Sequence, residues 1–311
     1  MTKLDVTFDS AGIEIAANLY LPDFPAGHLL PGIVVGHPGT GVKEQTAGSY
    51  AASLAERGFV TLAFDAAYQG ASGGLPRGLE DPAQRVEDFK AAVSFLTTRP
   101  EVDANLIGVL GICASGGYSL PATAGDHRIK AVATVSAADV ARQFRYGADG
   151  TQDPAVFQGM LDAAASARTA AAHGEDPGTL PLFPETIEQA RALGGEHAAE
   201  GFEYYCTPRA EHERAAKSFH WTSVDKLATF DAFTHIPLIG QRPLLMVAGS
   251  RAVTAWMTIE AFQQATGPKD LFWVENASHV DLYDKQPYVA QTVDRLATFF
   301  DHNLSKSPPP A

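Results

Sequence analysis

The sequence has few cysteines, a deficit of basic residues and no long hydrophobic run. Among 311 residues there are two cysteines, and 23 Lys and Arg stand against 36 Asp and Glu, a formal net charge of −13. Two cysteines form at most one bridge, which excludes a disulfide-rich secreted scaffold. So acidic a chain repels phosphate backbones, and we expect no nucleic-acid partner. The longest apolar runs, such as LIGVLGIC, are far shorter than a membrane span, so no membrane partner is expected.

From the N-terminal segment we expect no secretory signal. MTKLDVTFDS has neither a basic region nor an apolar stretch of the kind that directs export. Together with the low cysteine content, this predicts a cytoplasmic protein. The composition, with 45% hydrophobic and 19% charged residues, indicates a globular chain with a sizeable core.

The hydrophobic pattern predicts an α/β fold. Residues 3–21 alternate around a Ser-Ala-Gly turn, which predicts an antiparallel hairpin. Short, continuously apolar runs then alternate with helical patterns, as is typical of a parallel sheet covered by helices on both faces. We expect a mostly parallel, doubly wound sheet with an antiparallel start. Strands are predicted at 32–36, 60–65, 106–112, 130–136, 243–249 and 270–275, and helices near 46–57, 82–97, 116–125, 255–265 and 286–303.

One long segment interrupts this alternation. Residues 140–235 are rich in Ala, His and Glu and show no convincing strand. The segment is too long for a connecting loop and is predicted to be a mostly helical lid inserted in a core of residues 1–139 and 236–304. The last residues, 305–311, are predicted to be a disordered tail.

A nucleophile motif follows the third of these short strands. In LIGVLGICASGG (106–117), a buried strand is followed by Cys113 and then by a helix. A small residue stands two positions before Cys113 and another two positions after it. A nucleophile on a sharp strand-to-helix turn needs small neighbours two residues away on either side, and Gly111 and Ser115 meet that need. The following helix is expected to lower the pKa of the thiol. The same motif also fits with Ser115 at its centre, but the strand before it would then have to be two residues longer.

A base and an oxyanion hole are predicted from the same chain order. His279 follows the final strand, where the base of a nucleophile-elbow enzyme belongs. Most of the other nine histidines, such as His173, His197 and His212, lie in polar segments that we expect to be exposed. The backbone N–H of Ala114 and that of Gly39 or Thr40 are expected to stabilise a developing oxyanion. His37, which begins that glycine-rich loop, is predicted to brace it.

These motifs together resemble the α/β-hydrolase superfamily. The runs GHPGTGVKEQ, GFVTLAFDAAYQGASGG, IGVLGICASGGY and ASHVDLYD are similar to its dienelactone-hydrolase-like branch, which uses a cysteine nucleophile. The resemblance spans nearly the whole chain and implies an α/β-hydrolase fold with the insertion in the position of a lid. It does not specify a substrate.

The sequence departs from this family at the triad acid. Val253 stands where relatives often carry Asp, after the penultimate strand. Asp139, at the end of the preceding strand, occupies an alternative position known in the superfamily and is the first candidate. Asp281 could bond His279 locally, and Glu44 could hold the thiol as a glutamate does in dienelactone hydrolases.

The predicted reaction is acyl chemistry on a small-molecule substrate. Cys113 attacks an ester, lactone or thioester with His279 as base, and neither a metal nor a cofactor is predicted. Arg77 and Arg85 are candidates for clamping a substrate carboxylate, or else surface ion-pair partners of nearby acids. The aromatic residues Phe144, Tyr146, Tyr204, Tyr205, Trp221 and Trp256 either line a lid-covered pocket or form the core of the lid.

Three alternatives stay open from the sequence. The acyl-enzyme could be intercepted by an alcohol or amine, which would make the protein an acyltransferase or a cyclase. The missing acid also permits a ligand-binding protein on a hydrolase scaffold. A homodimer is compatible with the sequence.

Overall fold

The structure is a computed structural model and describes residues 1–23 and 27–305. Except for Ser305, the predicted tail lies outside the described residues. Eight strands form one sheet in the order β1-β2-β4-β3-β5-β6-β9-β10. The strands are β1 (Thr2–Ser10), β2 (Ile13–Leu21), β3 (Leu30–Gly36), β4 (Val60–Phe64), β5 (Val102–Ile112), β6 (Ile129–Val135), β9 (Leu244–Gly249) and β10 (Lys269–Val274).

The direction of the strands agrees with the sequence prediction. β1 pairs with β2, and β2 with β4, in antiparallel fashion, while the remaining neighbours are parallel. The predicted hairpin and all six predicted strands are confirmed, because short apolar runs buried on both faces mark the strands of a parallel sheet. Their carboxyl ends meet at one edge of the sheet, which is where loops assemble a site in open α/β folds.

Helices cover both faces of the sheet. On one face pack α2 (Pro82–Thr97), α3 (Ala114–Gly125) and α8 (Ala255–Gln264), and on the other α1 (Thr46–Ala55) and α10 (Tyr288–Asn303). The side chain of Asp81 accepts hydrogen bonds from the N–H groups of Ala83 and Gln84 at the start of α2, and Pro82 occupies the first helical position. The short helix α9 (Asp281–Asp284) precedes α10.

The segment 140–235, termed the insertion, lies between β6 and β9, and its role as a lid stays a prediction. Its helices are α4 (Val140–Tyr146), α5 (Pro154–Ala172), α6 (Ile187–Cys206) and α7 (Ser223–Ala228). The expectation that it contains no strand is wrong, because β7 (Thr179–Pro181) pairs with β8 (Ser218–His220) in a separate two-stranded sheet. Strands of three residues are too short to give a period-2 pattern. In the described part of the chain, no helix is both long and apolar enough to cross a membrane.

Candidate active site

Cys113 occupies the sharp turn between β5 and α3. Its φ of 53° and ψ of −117° lie in the left-handed half of backbone space, which non-glycine residues seldom adopt. A Cβ at Gly111 would overlap the backbone carbonyl of Ser115, so only glycine fits two residues before the turn. The strand ends at Ile112, as the strand length predicts, and this turn is the nucleophile elbow that the sequence indicates.

Ser115, the alternative nucleophile, lies inside α3 and is fully buried. Its Oγ donates to the carbonyl oxygen of His37 at 2.6 Å and accepts from the Arg85 guanidinium at 3.3 Å. These bonds fasten the first turn of α3 to the loop after β3. The hydroxyl is thus engaged beneath the elbow, and the geometry favours Cys113 over Ser115 as nucleophile.

Two backbone N–H groups face the thiol. Those of Gly39 and Ala114 both hydrogen-bond Cys113, and they are the pair expected for an oxyanion hole. The loop that carries Gly39 is braced as predicted, since His37 is buried and its Nε2 accepts from the Ala66 N–H at 3.0 Å. A carboxylate at the end of β4, Asp65, holds the same loop by accepting from the Lys43 ammonium at 2.9 Å.

The thiol is protonated in the resting site. Burial raises the pKa of Cys113 and outweighs the opposing hydrogen bonds from the Tyr283 hydroxyl and from the Ala114 and Gly39 N–H groups. The N–H of Ala114, at the start of the following helix, does lower this pKa as expected, but burial outweighs it and the net shift is upward. Transfer of the thiol proton to a base has to accompany attack.

His279 lies at the end of the same sheet, in the loop after β10. It is 2% exposed, and burial lowers its pKa well below the usual value, so the imidazole is neutral at pH 7. The Ser136 hydroxyl donates to the carbonyl oxygen of His279 at 3.0 Å and fixes its backbone. A neutral, buried imidazole next to a thiol has the protonation state that a general base requires.

Two hydroxyl groups bracket the imidazole. Nδ1 of His279 lies 2.5 Å from Oγ1 of Thr254, and Nε2 lies 3.0 Å from the Tyr283 hydroxyl. The same Tyr283 hydroxyl also interacts with the Cys113 thiol. Two hydrogen bonds thus connect Thr254, His279 and Tyr283, and Tyr283 links this group to Cys113.

Thr254 takes the place that an acid usually holds. Asp139 instead accepts from the N–H groups of Ala141 and Arg142 with Oδ1, at 2.9 and 3.3 Å, and from that of Ala232 with Oδ2, at 3.0 Å. Its carboxylate caps α4 and ties it to the end of the insertion. The structure does not bring Asp139 to His279, because the capping position points its oxygens at backbone donors.

The two other acid candidates are also engaged elsewhere. Glu44 forms ion pairs with Lys43 at 2.9 Å and with Arg214 of the insertion at 2.7 Å. Asp281 accepts from the Ser278 N–H at 3.0 Å and pairs with Lys285 at 2.6 Å. Each carboxylate stabilises a loop that borders the site, and neither is placed to orient the base.

The candidate substrate clamps lie away from the thiol. Arg77 is exposed and donates to backbone carbonyls, among them that of Gly70 at 2.7 Å. Arg85 is 3% exposed, contacts Glu80 at 3.3 Å and lies 5.0 Å from the ring centroid of Tyr118. A surface location for Arg85 is therefore wrong: it is buried under the elbow, where its charge is paired.

Tyr146 and Trp256 pack the insertion onto the core. Their ring centroids lie 6.5 Å apart, and the Trp256 indole N–H donates to the Ala148 carbonyl at 2.9 Å. Neither ring lines the cavity at Cys113, Tyr146 is 46% exposed, and Trp256 belongs to α8 of the core, so this pair fits neither alternative. Of the six aromatic residues named from the sequence, Phe144 and Tyr205 do line it.

The space above the thiol is a small apolar cavity, termed here the thiol cavity. Its volume is about 240 Å³, and the core contributes Cys113 and His279 to its wall. The insertion supplies most of the remaining wall through Phe144, Leu182, Phe183, Tyr205 and Phe219. Such a pocket suits the hydrocarbon part of an acyl group.

Sequence reasoning missed three residues near the base. Tyr283 is in the motif ASHVDLYD, four residues after His279, and that spacing within a turn of helix is a usable signal. Thr254 was not predicted as a partner of the base, because a carboxylate was expected in the loop after β9. His197, predicted to be exposed, is partly buried with its ring centroid 5.1 Å from that of His279.

The sheet order, the elbow and the loop after β10 define an α/β-hydrolase. A solved structure supports this fold: the α/β hydrolase GrgF from Penicillium matches with a TM-score of 0.81 at 24% identity, covering 98% of this chain and 99% of that one. The crystal structure of the hypothetical protein PA2218 from Pseudomonas aeruginosa matches with a TM-score of 0.90 at 39% identity, covering 97% of this chain and 94% of that one. More narrowly, the family model described as X-Pro dipeptidyl-peptidase (S15 family) matches residues 11–281, and the chain belongs to that family.

The relatives span hydrolases and transferases. The chain is 40% identical over 294 residues to the uncharacterized protein YcjY of Escherichia coli K12, covering 94% of this chain and 95% of that one. It is 26% identical over 265 residues to the polyketide transferase grgF of Penicillium, covering 83% and 84%. A thiohydrolase, aneE of Aspergillus aculeatus, is 24% identical over 277 residues, covering 86% and 83%. The chain thus belongs among hydrolase- and acyltransferase-like α/β-hydrolases; its placement in a cysteine-nucleophile branch stays a prediction.

Proposed function

We propose that the protein cleaves an ester, lactone or thioester through an acyl-enzyme on Cys113. One observation carries the proposal: the thiol hydrogen-bonds the N–H groups of Gly39 and Ala114 and is linked through Tyr283 to the neutral base His279. A nucleophile, two oxyanion donors and a base thus meet at one cavity. Two relatives, named a thiohydrolase and a polyketide transferase, support a reaction of this class.

The first half of the reaction transfers the thiol proton to His279. As the thiol proton passes to the oxygen of Tyr283, the phenolic proton passes to Nε2, which leaves a thiolate and an imidazolium. The thiolate attacks the carbonyl carbon, and the oxyanion accepts from Gly39 and Ala114. The C–O or C–S bond to the leaving group then breaks, and the leaving group takes the proton from the imidazolium.

The second half returns the enzyme to its resting state. Water, or an alcohol in its place, attacks the thioester carbonyl while its proton passes to His279. Collapse of the tetrahedral intermediate expels the Cys113 thiolate, which regains its proton from the imidazolium along the same path. Hydrolysis and acyl transfer share every step except the identity of this second nucleophile.

Intact-mass measurement after brief reaction with an aryl thioester tests the proposal. The wild type is expected to gain one acyl mass, Cys113→Ala none, and the matched variant Cys206→Ala the same mass as the wild type. An adduct that persists in Cys113→Ala would move the nucleophile elsewhere. Absence of both adduct and aryl-thiol release in the wild type, with a panel of esters and thioesters, would instead favour a non-catalytic binding protein.

An X-Pro aryl amide belongs in the same panel because the family description names a dipeptidyl-peptidase. We expect it to react far more slowly than the thioester. A thioester carbonyl accepts a thiolate readily, whereas an amide needs its poor leaving group protonated as it departs. Faster turnover of the amide would overturn the proposed substrate class.

A further inference from the structure

A second cavity shares part of its wall with the thiol cavity. Its volume is about 740 Å³, and it lies between the segment after α4, the middle of α6 and the loops after β9 and β10. We call it the polar cavity, because most of its side chains are hydrophilic, among them Asp149, Thr151, Gln152, Glu200, Arg251 and Ser278. His279 and His197 line both cavities.

A break in α6 borders this space. Gly194 and Gly195 depart from helical geometry, and Gly195 has a φ of 64°, in the left-handed region that glycine adopts without strain. Both glycines line the polar cavity, and His197 follows them. The break is thus part of the cavity wall and lies two residues before the histidine that packs on the base.

Because His279 lines both cavities, one cavity can hold the acyl group while the other holds the second nucleophile. His279 must receive a proton from the thiol in the first half-reaction and from the second nucleophile in the next. An acyl chain on Cys113 fills the apolar thiol cavity, so a second nucleophile larger than water has to reach His279 from the polar cavity.

The charges on the wall select against anions. Three carboxylates, those of Asp149, Glu196 and Glu200, line the cavity together with one guanidinium, that of Arg251. Asp149 accepts from the N–H and hydroxyl of Thr151 at 2.9 and 2.8 Å, and Glu196 pairs with Arg191 at 2.6 Å, so these carboxylates are held in place. With Arg191 counted as well, the carboxylates still outnumber the guanidinium groups, which disfavours carboxylates and phosphates, whereas hydroxyl groups find both acceptors and donors.

We propose that the polar cavity binds the acyl acceptor and that this acceptor is an uncharged alcohol. The inference rests on the proposed Cys113 acyl-enzyme and extends it from hydrolysis to acyl transfer. The hydroxyl of the acceptor attacks the thioester carbonyl, its proton passes to His279, and the products are an ester and the free thiol. Water is the competitor for the same intermediate.

The partition of the acyl-enzyme tests the proposal. The protein is acylated with an aryl thioester, and the burst of released aryl thiol reports this first step. Mass spectrometry then measures how much acyl product forms with glycerol, with glycerate and with water. Glycerol and glycerate differ chiefly in one carboxylate. We expect transfer to glycerol to exceed transfer to glycerate, with an unchanged burst.

Charge reversal at the cavity wall supplies a matched pair of variants. Glu196→Arg is expected to raise the glycerate-to-glycerol ratio about fivefold, the effect of two charge units about 8 Å from an anion in water. Glu188→Arg, exposed on the same helix but outside the cavity, is expected to leave the ratio unchanged. Melting temperature and burst amplitude show that both variants are folded and acylated.

Three results would overturn the inference. If the acyl mass appears on Cys113 but all of it is hydrolysed at every glycerol concentration, the polar cavity is not an acceptor site and the proposed hydrolysis stands. If both charge reversals change the ratio equally, long-range charge and not the cavity sets the preference. A wild type without any acyl adduct would remove the proposed function and this inference together.

Discussion

Replacing Thr254 by valine tests how a buried imidazole works without a carboxylate partner. The change keeps the shape of the side chain and removes the oxygen that lies 2.5 Å from Nδ1 of His279. Both residues are 2% exposed, so water does not readily replace the lost hydroxyl. When His279 becomes an imidazolium, both of its nitrogens carry hydrogen, and the Nδ1–H then has no acceptor in the variant.

The expected loss follows from the cost of an unsatisfied buried donor. That cost is about 1–3 kcal/mol, and since about 1.4 kcal/mol is tenfold in rate, acylation should slow by about 5- to 150-fold. The pKa of His279, already lowered by burial, should fall further, because the hydroxyl favours the protonated form.

Stopped-flow measurement of the aryl-thiol burst gives this rate directly. Thr254→Ser is the matched control, since it keeps the hydroxyl and loses only a methyl group; it should stay close to the wild-type rate. The acid limb of kcat/KM should move to lower pH in Thr254→Val and remain in place in Thr254→Ser. A wild-type burst rate in Thr254→Val, or equal slowing in both folded variants, would refute the reasoning.

Three further predictions concern the surroundings of the site. Tyr283→Phe keeps the ring packing but removes the proton path, so the burst should slow about 100-fold; a native rate would show direct transfer from thiol to imidazole. Arg85→Met leaves Glu80 buried without its partner and should lower the free energy of unfolding by about 3–5 kcal/mol in urea titrations; a change under 1 kcal/mol would contradict it. Because burial lowers the pKa of His37 and of His279, the unfolded chain binds more protons below pH 6.5, the ordinary pKa of histidine, so stability is fully present above that pH and is lost as the pH falls below it. A melting temperature that stays constant from pH 7 to 5 would contradict this.

The sheet and the elbow could be predicted because local pattern determines them. Continuous apolar runs end where the strands end, and the cysteine at the turn needs small neighbours that are visible in the sequence. His279 followed from chain order. The sequence also predicted Ala114 as one N–H donor at the thiol and left Gly39 and Thr40 open as the other, because Pro38 before them has no N–H.

The partners of the base could not be predicted in the same way. Which group reaches Nδ1 of His279 depends on how the loop after β9 folds over the sheet, and the expectation of a carboxylate there pointed to Asp139, which caps α4 instead. Arg85 was expected at the surface because an isolated cation is costly to bury. Its burial becomes favourable only with Glu80 and the ring of Tyr118 around it, and those contacts are tertiary.

The pair of hydroxyls around His279 has a consequence for the location of the ring hydrogen. A carboxylate only accepts, so in a triad it fixes the N–H of the neutral imidazole on Nδ1. The hydroxyls of Thr254 and Tyr283 donate as well as accept, and both tautomers of His279 are fully hydrogen-bonded in the structure. The hydrogen bonds therefore do not by themselves fix the ring hydrogen on one nitrogen. A group that donates a hydrogen bond to the Tyr283 oxygen from the thiol cavity would direct the phenolic hydrogen to Nε2 and so place the ring hydrogen on Nδ1, the tautomer that the proposed proton path needs.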